Sequence, residues 1–190
     1  MTPPKPKGCP FAPPISGGLW PVLTTHPKRL EVTYRDINGD MHGSAWGRSF
    51  GADRPNGRHH CGVDLWGHHG SDVQAITEGK VVRVAPFVRG VRAKGGTPFV
   101  VYSVLIDCGP ILVRLCELGA IQVKAGDLVH PGSPIGKVWL MKRSQMCHTE
   151  LWQAGSKPQP WRGKDPPKGL LDPTAMLLAL AEDARSGNGT

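Results

Sequence analysis

Residues 98–107, PFVVYSVLID, and residues 111–118, ILVRLCEL, flank the short turn Cys108-Gly109-Pro110. Both runs are rich in β-branched and aliphatic residues, which are typical of strands. The glycine and proline between them are residues that reverse the chain. The stretch predicts an antiparallel hairpin and, with it, a mainly β fold built on an antiparallel β-sheet.

The same type of pattern extends over much of the chain. Residues 43–58 are predicted as a loop, and Asn38-Gly39 as a hairpin turn. One helix is predicted at about residues 173–185, with Asp172 as its cap and Pro173 at its first position. Further strands are predicted within residues 19–34, 72–85, 123–135 and 146–153.

A length of 190 residues suits one domain with extensions. The 25 glycines and 19 prolines favour short elements joined by turns and argue against a helical bundle. We predict a Pro/Gly-rich arm over residues 1–19 and a β domain over 20–153, whose motifs lie in 58–153. Residues 154–190 are predicted to form a C-terminal extension that carries the helix.

Composition excludes several classes of function. The net charge is +8, but the basic residues are scattered singly, so nucleic acid is not predicted as a partner. Five cysteines without a regular framework favour free thiols over a disulfide scaffold. No stretch has the roughly 20 apolar residues of a membrane span, and no signal peptide is evident, so we predict a protein that is made without a secretory signal and has no membrane partner.

The first chemical motif is His60-Cys61-Gly62-Val63-Asp64. A sharp turn at Gly62 would let the imidazole and the carboxylate converge on one cation, and both groups suit zinc. His148 lies on the strand predicted over 146–153, where Met146 and Glu150 share its face. Two histidines and an aspartate leave an open position, which is typical of a catalytic zinc site.

The order of the motifs resembles that of the lysostaphin-type (LytM-like) zinc metallopeptidases, which cleave peptide bridges in peptidoglycan. HxGxD is followed by Val73 to Val82, by Val123 to Val129, by Pro131 to Gly136 and by a terminal His-Thr-Glu-Leu strand. The resemblance covers residues 58–153. It implies that one zinc ion is held by His60, Asp64 and His148, and that peptidoglycan is the substrate.

Two positions depart from the family's pattern. The family uses two further histidines to handle protons, and here Met146 and Glu117 stand in their places. Met146 cannot transfer a proton, whereas a carboxylate such as Glu117 is a standard general base in zinc peptidases. Two interpretations stay open: Glu117 is catalytic, or the site is a pseudoenzyme that keeps zinc for structure. A pairing of Glu117 with Arg58 or Arg83 would favour the second.

Part of the chain also resembles a divergent branch found among bacteriophage tail and baseplate proteins. The segments that carry this resemblance are Trp20 to Thr25 and Leu170 to Thr174. It implies synthesis in the bacterial cytoplasm and a virion tail location facing the cell wall, with other tail or baseplate proteins as partners. The alternative function is then an inactive zinc-binding structural module.

Several other residues have a functional and an ordinary interpretation. Arg58 either faces an anionic substrate group or lies at the surface, and Glu150 either orients His148 or is exposed. Cys61 and Cys147 are competing zinc ligands, although alternation points Cys147 away from the metal face. Four tryptophans could line a substrate groove, although core packing is their ordinary role: Trp46, Trp66, Trp152 and Trp161. The other histidines have no predicted role: His26, His42, His59, His68, His69 and His130.

Overall fold

The computed structural model of the chain describes residues 9–23, 48–91, 97–141 and 144–186. The predictions for Asn38-Gly39, Trp46, His26 and His42, and for the strand pattern beyond residue 23, lie outside these residues. Within them, the strands and the helix are β1 (Asp53–Arg54), β2 (Arg58–His59), β3 (Val63–Trp66), β4 (Asp72–Gln74), β5 (Gly79–Val91), β6 (Pro98–Asp107), β7 (Ile111–Gly119), β8 (Leu128–Val129), β9 (Pro134–Val138), β10 (Leu140–Met141), β11 (Ser144–Gln153), β12 (Trp161–Arg162), β13 (Leu170–Leu171) and α1 (Thr174–Ser186).

A ten-stranded antiparallel sheet dominates the fold, so the predicted mainly β class is confirmed. Its central path runs β10-β11-β7-β6-β5-β8. The predicted hairpin is formed by β6 and β7, which pair from Asp107↔Leu112 beside the turn to Tyr102↔Leu118 at the far end. β7 is buried along almost its whole length because β6 and β11 flank it, which explains its nearly continuous apolar sequence.

β11 has a neighbour on each side, and this arrangement positions the site. His148 pairs with Asp64 of β3 on one side and with Cys116 of β7 on the other. Adjacent strands lie about 4.8 Å apart, so residues from three strands meet at one level of the sheet. The strand predicted over 146–153 therefore carries His148 into the middle of the sheet.

Two local predictions were wrong. Residues 43–58 were expected to be a loop, but their described part contains β1 and the start of β2, which join β12 in a separate three-stranded sheet. Strand, turn and strand were also expected over residues 123–135, but the structure has no strand before the turn at residues 125–126. The Asp127 carboxylate accepts a hydrogen bond from the Lys124 amide at 2.9 Å, so local side-chain bonding replaces strand pairing.

The first and last segments that the structure describes pack on the same core. The Ala12 amide donates to the Asp172 carbonyl, and the Asp172 amide donates to the Pro10 carbonyl, each at 3.0 Å. The Asp172 side chain caps α1 by accepting from the Thr174 amide at 2.9 Å. Leu177 and Leu180 of α1 are buried.

Within the described residues, no helix is long and apolar enough to cross a membrane. The boundaries at residues 19 and 153 remain predictions.

Candidate metal centre and active site

Three buried side chains from β3, β11 and the loop before β3 converge on one point. Nε2 of His60 lies 3.1 Å from Oδ1 of Asp64 and 2.8 Å from Nδ1 of His148. Nδ1 of His148 lies 2.9 Å from the same Asp64 oxygen. The structure thus brings together the three residues that the sequence singled out as metal ligands.

Gly62 permits this convergence by close approach. A Cβ atom at Gly62 would overlap the carbonyl oxygen of Thr149 and would lie 3.0 Å from Cε1 of His148. The expected reason for glycine, a sharp turn of the chain, is therefore not what excludes a side chain here. The backbone between His60 and Asp64 runs directly against β11, and only glycine leaves room for that.

Each histidine is held from outside the cluster by its other ring nitrogen. Nδ1 of His60 donates to the Ser49 carbonyl at 2.7 Å, because a carbonyl can only accept. Nε2 of His148 donates to Oε1 of Glu150 at 3.0 Å. These bonds direct His60 Nε2 and His148 Nδ1 toward the Asp64 carboxylate. Two ring nitrogens and a carboxylate oxygen so close together need a proton or a cation between them, and this donor set fits zinc.

The electrostatics of the cluster agree with that requirement. Burial lowers the pKa of His60 and outweighs the opposing effect of Asp64. Burial also disfavours charged His148, but hydrogen bonds to Asp64 and Glu150 raise its pKa to about 10. Burial works against ionised Asp64 too, yet the charge of His60 and hydrogen bonds from both histidines hold its pKa far below the usual range. The carboxylate is thus ionised beside one retained proton, whose place a divalent cation would take.

Glu150 is buried and fully engaged. Besides His148, its carboxylate accepts from Nε1 of Trp152 at 2.9 Å and from Nη1 of Arg114 at 3.2 Å. Burial raises the pKa of Glu150, but the hydrogen bond from His148 and the charges of His148 and Arg114 lower it to about 2. Arg114 also reaches Oγ of Ser103 at 3.4 Å. Of the two sequence interpretations of Glu150, the geometry matches the one in which it orients His148.

Glu117 is the extra residue of a β-bulge. Cys116 pairs with Ser103 and Leu118 pairs with Tyr102, so Glu117 has no partner across the β6–β7 ladder. Its φ is 67°, in the left-handed region that non-glycine residues rarely adopt. A bulge changes the direction of a side chain. Here it turns the Glu117 carboxylate into the cleft that also contains the metal candidates.

The Glu117 carboxylate has an unusual environment. Its Oε2 atom is buried without a hydrogen-bond partner among the described residues. Burial, followed by the negative charge of Asp64, raises the pKa of Glu117 to about 8. Neither Arg58 nor Arg83 forms an ion pair with it, which removes the sequence argument for a structural role. Strained backbone and an unsatisfied carboxyl group at one position are typical of functional sites.

The cleft has a volume of about 650 Å³. Arg58 lies exposed at its edge, and Met146 is buried on the same strand face as His148. Cys147 is fully buried in the core, and Cys61 accepts a hydrogen bond from the Trp161 amide at 3.2 Å. Neither thiol belongs to the His60, Asp64 and His148 group.

Of the other aromatic and histidine candidates, some border the cleft and some lie in the core. Trp161 and His59 border the cleft, and their rings lie 4.9 Å apart. Trp152 is buried, where it donates to Glu150. A second group of possible donors, Cys116, His148 and Glu150, shares His148 with the first. Because Glu150 is already bonded to a histidine, an arginine and a tryptophan, we assign no cation there.

Sequence reasoning missed three residues of the site. Arg54 places Nη2 3.4 Å from Oδ2 of Asp64. Phe87 stacks on the His148 ring with centroids 5.8 Å apart, and the Arg114 guanidinium lies 5.1 Å from the Phe87 centroid. These residues come from β1, β5 and β7, and no local motif connects them. Only the pairing of distant strands indicates their proximity.

Comparisons with solved structures find several peptidases of similar fold. LytU has a TM-score of 0.51 and 22% identity, covering 72% of this chain and 87% of that one. The catalytic domain of the antimicrobial peptidase lysostaphin from Staphylococcus simulans has a TM-score of 0.49 and 22% identity, covering 70% and 90%. A zinc containing peptidase from Vibrio cholerae has a TM-score of 0.42 and 18% identity, covering 85% and 41%.

The similarity to LytU supports the fold. No curated protein matches the chain. The sequence profile of Peptidase family M23 matches residues 58–160, which is more than half of the chain and includes His60, Asp64, Glu117 and His148. The resemblance to lysostaphin-type peptidases is thereby confirmed at the level of the family, whereas the bacteriophage branch stays a prediction. The chain belongs to Peptidase family M23.

Proposed function

We propose that the protein is a zinc-dependent endopeptidase that cleaves peptide cross-links of peptidoglycan. His60, Asp64 and His148 would hold one zinc ion, and Glu117 would be the general base. One observation carries the proposal: Glu117, whose Oε2 atom is buried without a hydrogen-bond partner among the described residues, lines the same cleft as the three converging candidate ligands. The choice of peptidoglycan rests on the family resemblance of the motifs.

The chain's own residues account for the movement of protons. Zinc, when bound, would polarise the scissile carbonyl and acidify a water molecule. Glu117 accepts a proton from the attacking water and delivers it to the leaving amine. A carboxyl group that titrates nearer neutral pH than usual can both take up and return a proton, and burial raises the pKa of Glu117 in that direction.

The other site residues support this chemistry without taking part in it. Glu150 and the Ser49 carbonyl orient the two histidines through their outer nitrogens. Met146 adds an apolar wall and contributes no proton. Arg58 lies at the edge of the cleft, where a substrate would enter.

A second function is favoured by Met146. Because this position cannot donate a hydrogen bond, the cleft lacks one helper group of the lysostaphin-type pattern. The alternative is therefore an inactive zinc-binding module of a bacteriophage tail or baseplate, in contact with other virion proteins. The active form fits the same location, on a virion tail that faces the cell wall.

Loss of turbidity of purified peptidoglycan tests the proposal. Zinc-loaded protein should clear the suspension, a chelator should stop clearing, and added zinc should restore it. E117Q should abolish clearing while it retains zinc, and E78Q, which changes an exposed glutamate, should behave as wild type. No clearing by protein shown to contain zinc would refute the enzyme and favour the structural alternative.

A further inference from the structure

Three arginines stand side by side in the small sheet next to the cleft. Arg58 of β2 pairs directly with Arg54 of β1 on one side and with Arg162 of β12 on the other. Residues directly opposite each other on antiparallel strands project from the same face. Arg54, Arg58 and Arg162 therefore form a continuous line across three strands, which we call the arginine row.

Such a row is unfavourable for folding. Like charges directly opposite each other on neighbouring strands destabilise a sheet. The one carboxylate within the strands of this sheet, Asp53, alternates to the other face and contacts Nδ1 of His59 at 3.0 Å. Three cations held together without carboxylates of their own sheet indicate a position kept for an anionic ligand.

Within the described residues, the outer part of the row has no acidic partner. The contact found for Arg58 is a hydrogen bond from Nε to the Pro55 carbonyl at 3.4 Å. Arg58 and Arg162 are both exposed, and no other described residue forms an ion pair with either of them. Both guanidinium groups are thus available to a ligand from solution.

One end of the row contacts the metal candidates, and its other end, Arg162, lies two strands away. Arg54 reaches Asp64 at 3.4 Å, and both Arg54 and Arg58 border the cleft. With strands about 4.8 Å apart, the row extends roughly 10 Å from the site, which is the length of about three residues of an extended peptide. A substrate that lies across the metal centre would therefore pass its flanking residues along the three guanidinium groups.

We propose that the arginine row binds free carboxylates of the peptide substrate on one side of the scissile bond. This proposal rests on the proposed peptidase function and names its substrate class: acidic peptides, in preference to neutral ones. The guanidinium fork matches a carboxylate with two parallel hydrogen bonds, which a lysine does not reproduce. Arg58 and Arg162 are specificity-determining residues in this scheme, and neither takes part in the chemistry.

Peptide binding to the zinc-loaded full chain tests the proposal. Two fluorescein-labelled peptides of one sequence are compared, one with two glutamates and the other with two glutamines, by fluorescence anisotropy. The acidic peptide should bind about tenfold more tightly, and moderate salt should remove most of the difference. R58Q/R162Q should abolish the preference, R58K/R162K should restore part of it, and R83Q, a change at an exposed arginine outside the cleft, should leave it intact.

Equal binding of both peptides by wild type, or a preference that survives R58Q/R162Q, would overturn the proposal. Circular dichroism of each variant shows whether the protein remains folded. The single change R162Q is a milder variant, whose preference for the acidic peptide should fall by about threefold. Cleavage of the peptides is followed separately by mass spectrometry. Charge-selective binding without cleavage would count against the peptidase and leave the arginine row standing, whereas cleavage without selectivity would do the reverse.

Discussion

Nε2 of His148 lies 3.0 Å from Oε1 of Glu150, two residues further along the same strand, and both side chains are buried. Residues i and i+2 of a strand project from one face, so the backbone itself sets this contact. Arg114 and Trp152 hold the Glu150 carboxylate in place from two other directions. The contact determines which nitrogen of His148 faces Asp64.

E150Q should weaken zinc binding by about 10- to 100-fold, because a neutral amide no longer orients or polarises the His148 ring. Competition with a zinc-binding indicator dye measures the affinity. E78Q is the matched control, since Glu78 is exposed and lies outside the cleft. Zinc affinity of E150Q equal to that of E78Q would show that the contact has no influence on the ligand.

G62A should destabilise the fold by about 3 kcal/mol, because the added methyl group overlaps the Thr149 carbonyl and must push β3 away from β11. The displacement also separates His60 and Asp64 from His148, so zinc affinity should fall together with stability. Denaturant unfolding and the dye competition measure the two effects. G57A provides a comparison at a glycine where a Cβ atom meets open space but φ is positive. An unchanged zinc affinity in G62A would contradict the close-approach argument.

Glu117 should make the stability of the metal-free protein depend on pH. Its pKa is raised from 4.5 to about 8, so the folded state binds this proton more tightly than the unfolded state does. The stability that this bound proton adds to the folded state is present in full below about pH 4.5 and is lost as the pH rises through about 8. The E117Q variant has no such proton and therefore no such pH dependence. The stability of E117Q relative to wild type should therefore increase by about 1–3 kcal/mol between about pH 5 and pH 9, as measured by denaturant unfolding. A constant difference would mean that Glu117 titrates normally.

E117G and E117A separate the backbone of the bulge from its carboxylate. Both variants remove the side-chain charge, but only glycine adopts a φ of 67° without strain. E117G should therefore be more stable than E117A by about 1–2 kcal/mol. Neither variant should clear peptidoglycan if Glu117 is the base. Equal stability of the two variants would show that the chain relaxes out of the bulge when the glutamate is removed.

The sequence by itself determined the class of fold and singled out the three candidate metal ligands. Alternation and turn residues are local properties, and they were enough for the β6–β7 hairpin, for β11 and for the capped helix α1, which begins one residue later than predicted. The types and spacing of His60, Asp64 and His148 were sufficient to propose a metal site, because few other roles suit that combination of side chains.

Only the tertiary structure decided how the rest of the site is built. A bulge shifts the register by one residue, and the sequence around Glu117 carries no signal for it, so the direction of this carboxylate depends on how β6 and β7 pair. The partners of Glu150 and the alignment of Arg54, Arg58 and Arg162 likewise depend on strands far apart in the chain. Residue preferences act over a few positions, whereas strand register is set by packing of the whole sheet, and that is the physical reason why these relationships appear only in the folded molecule.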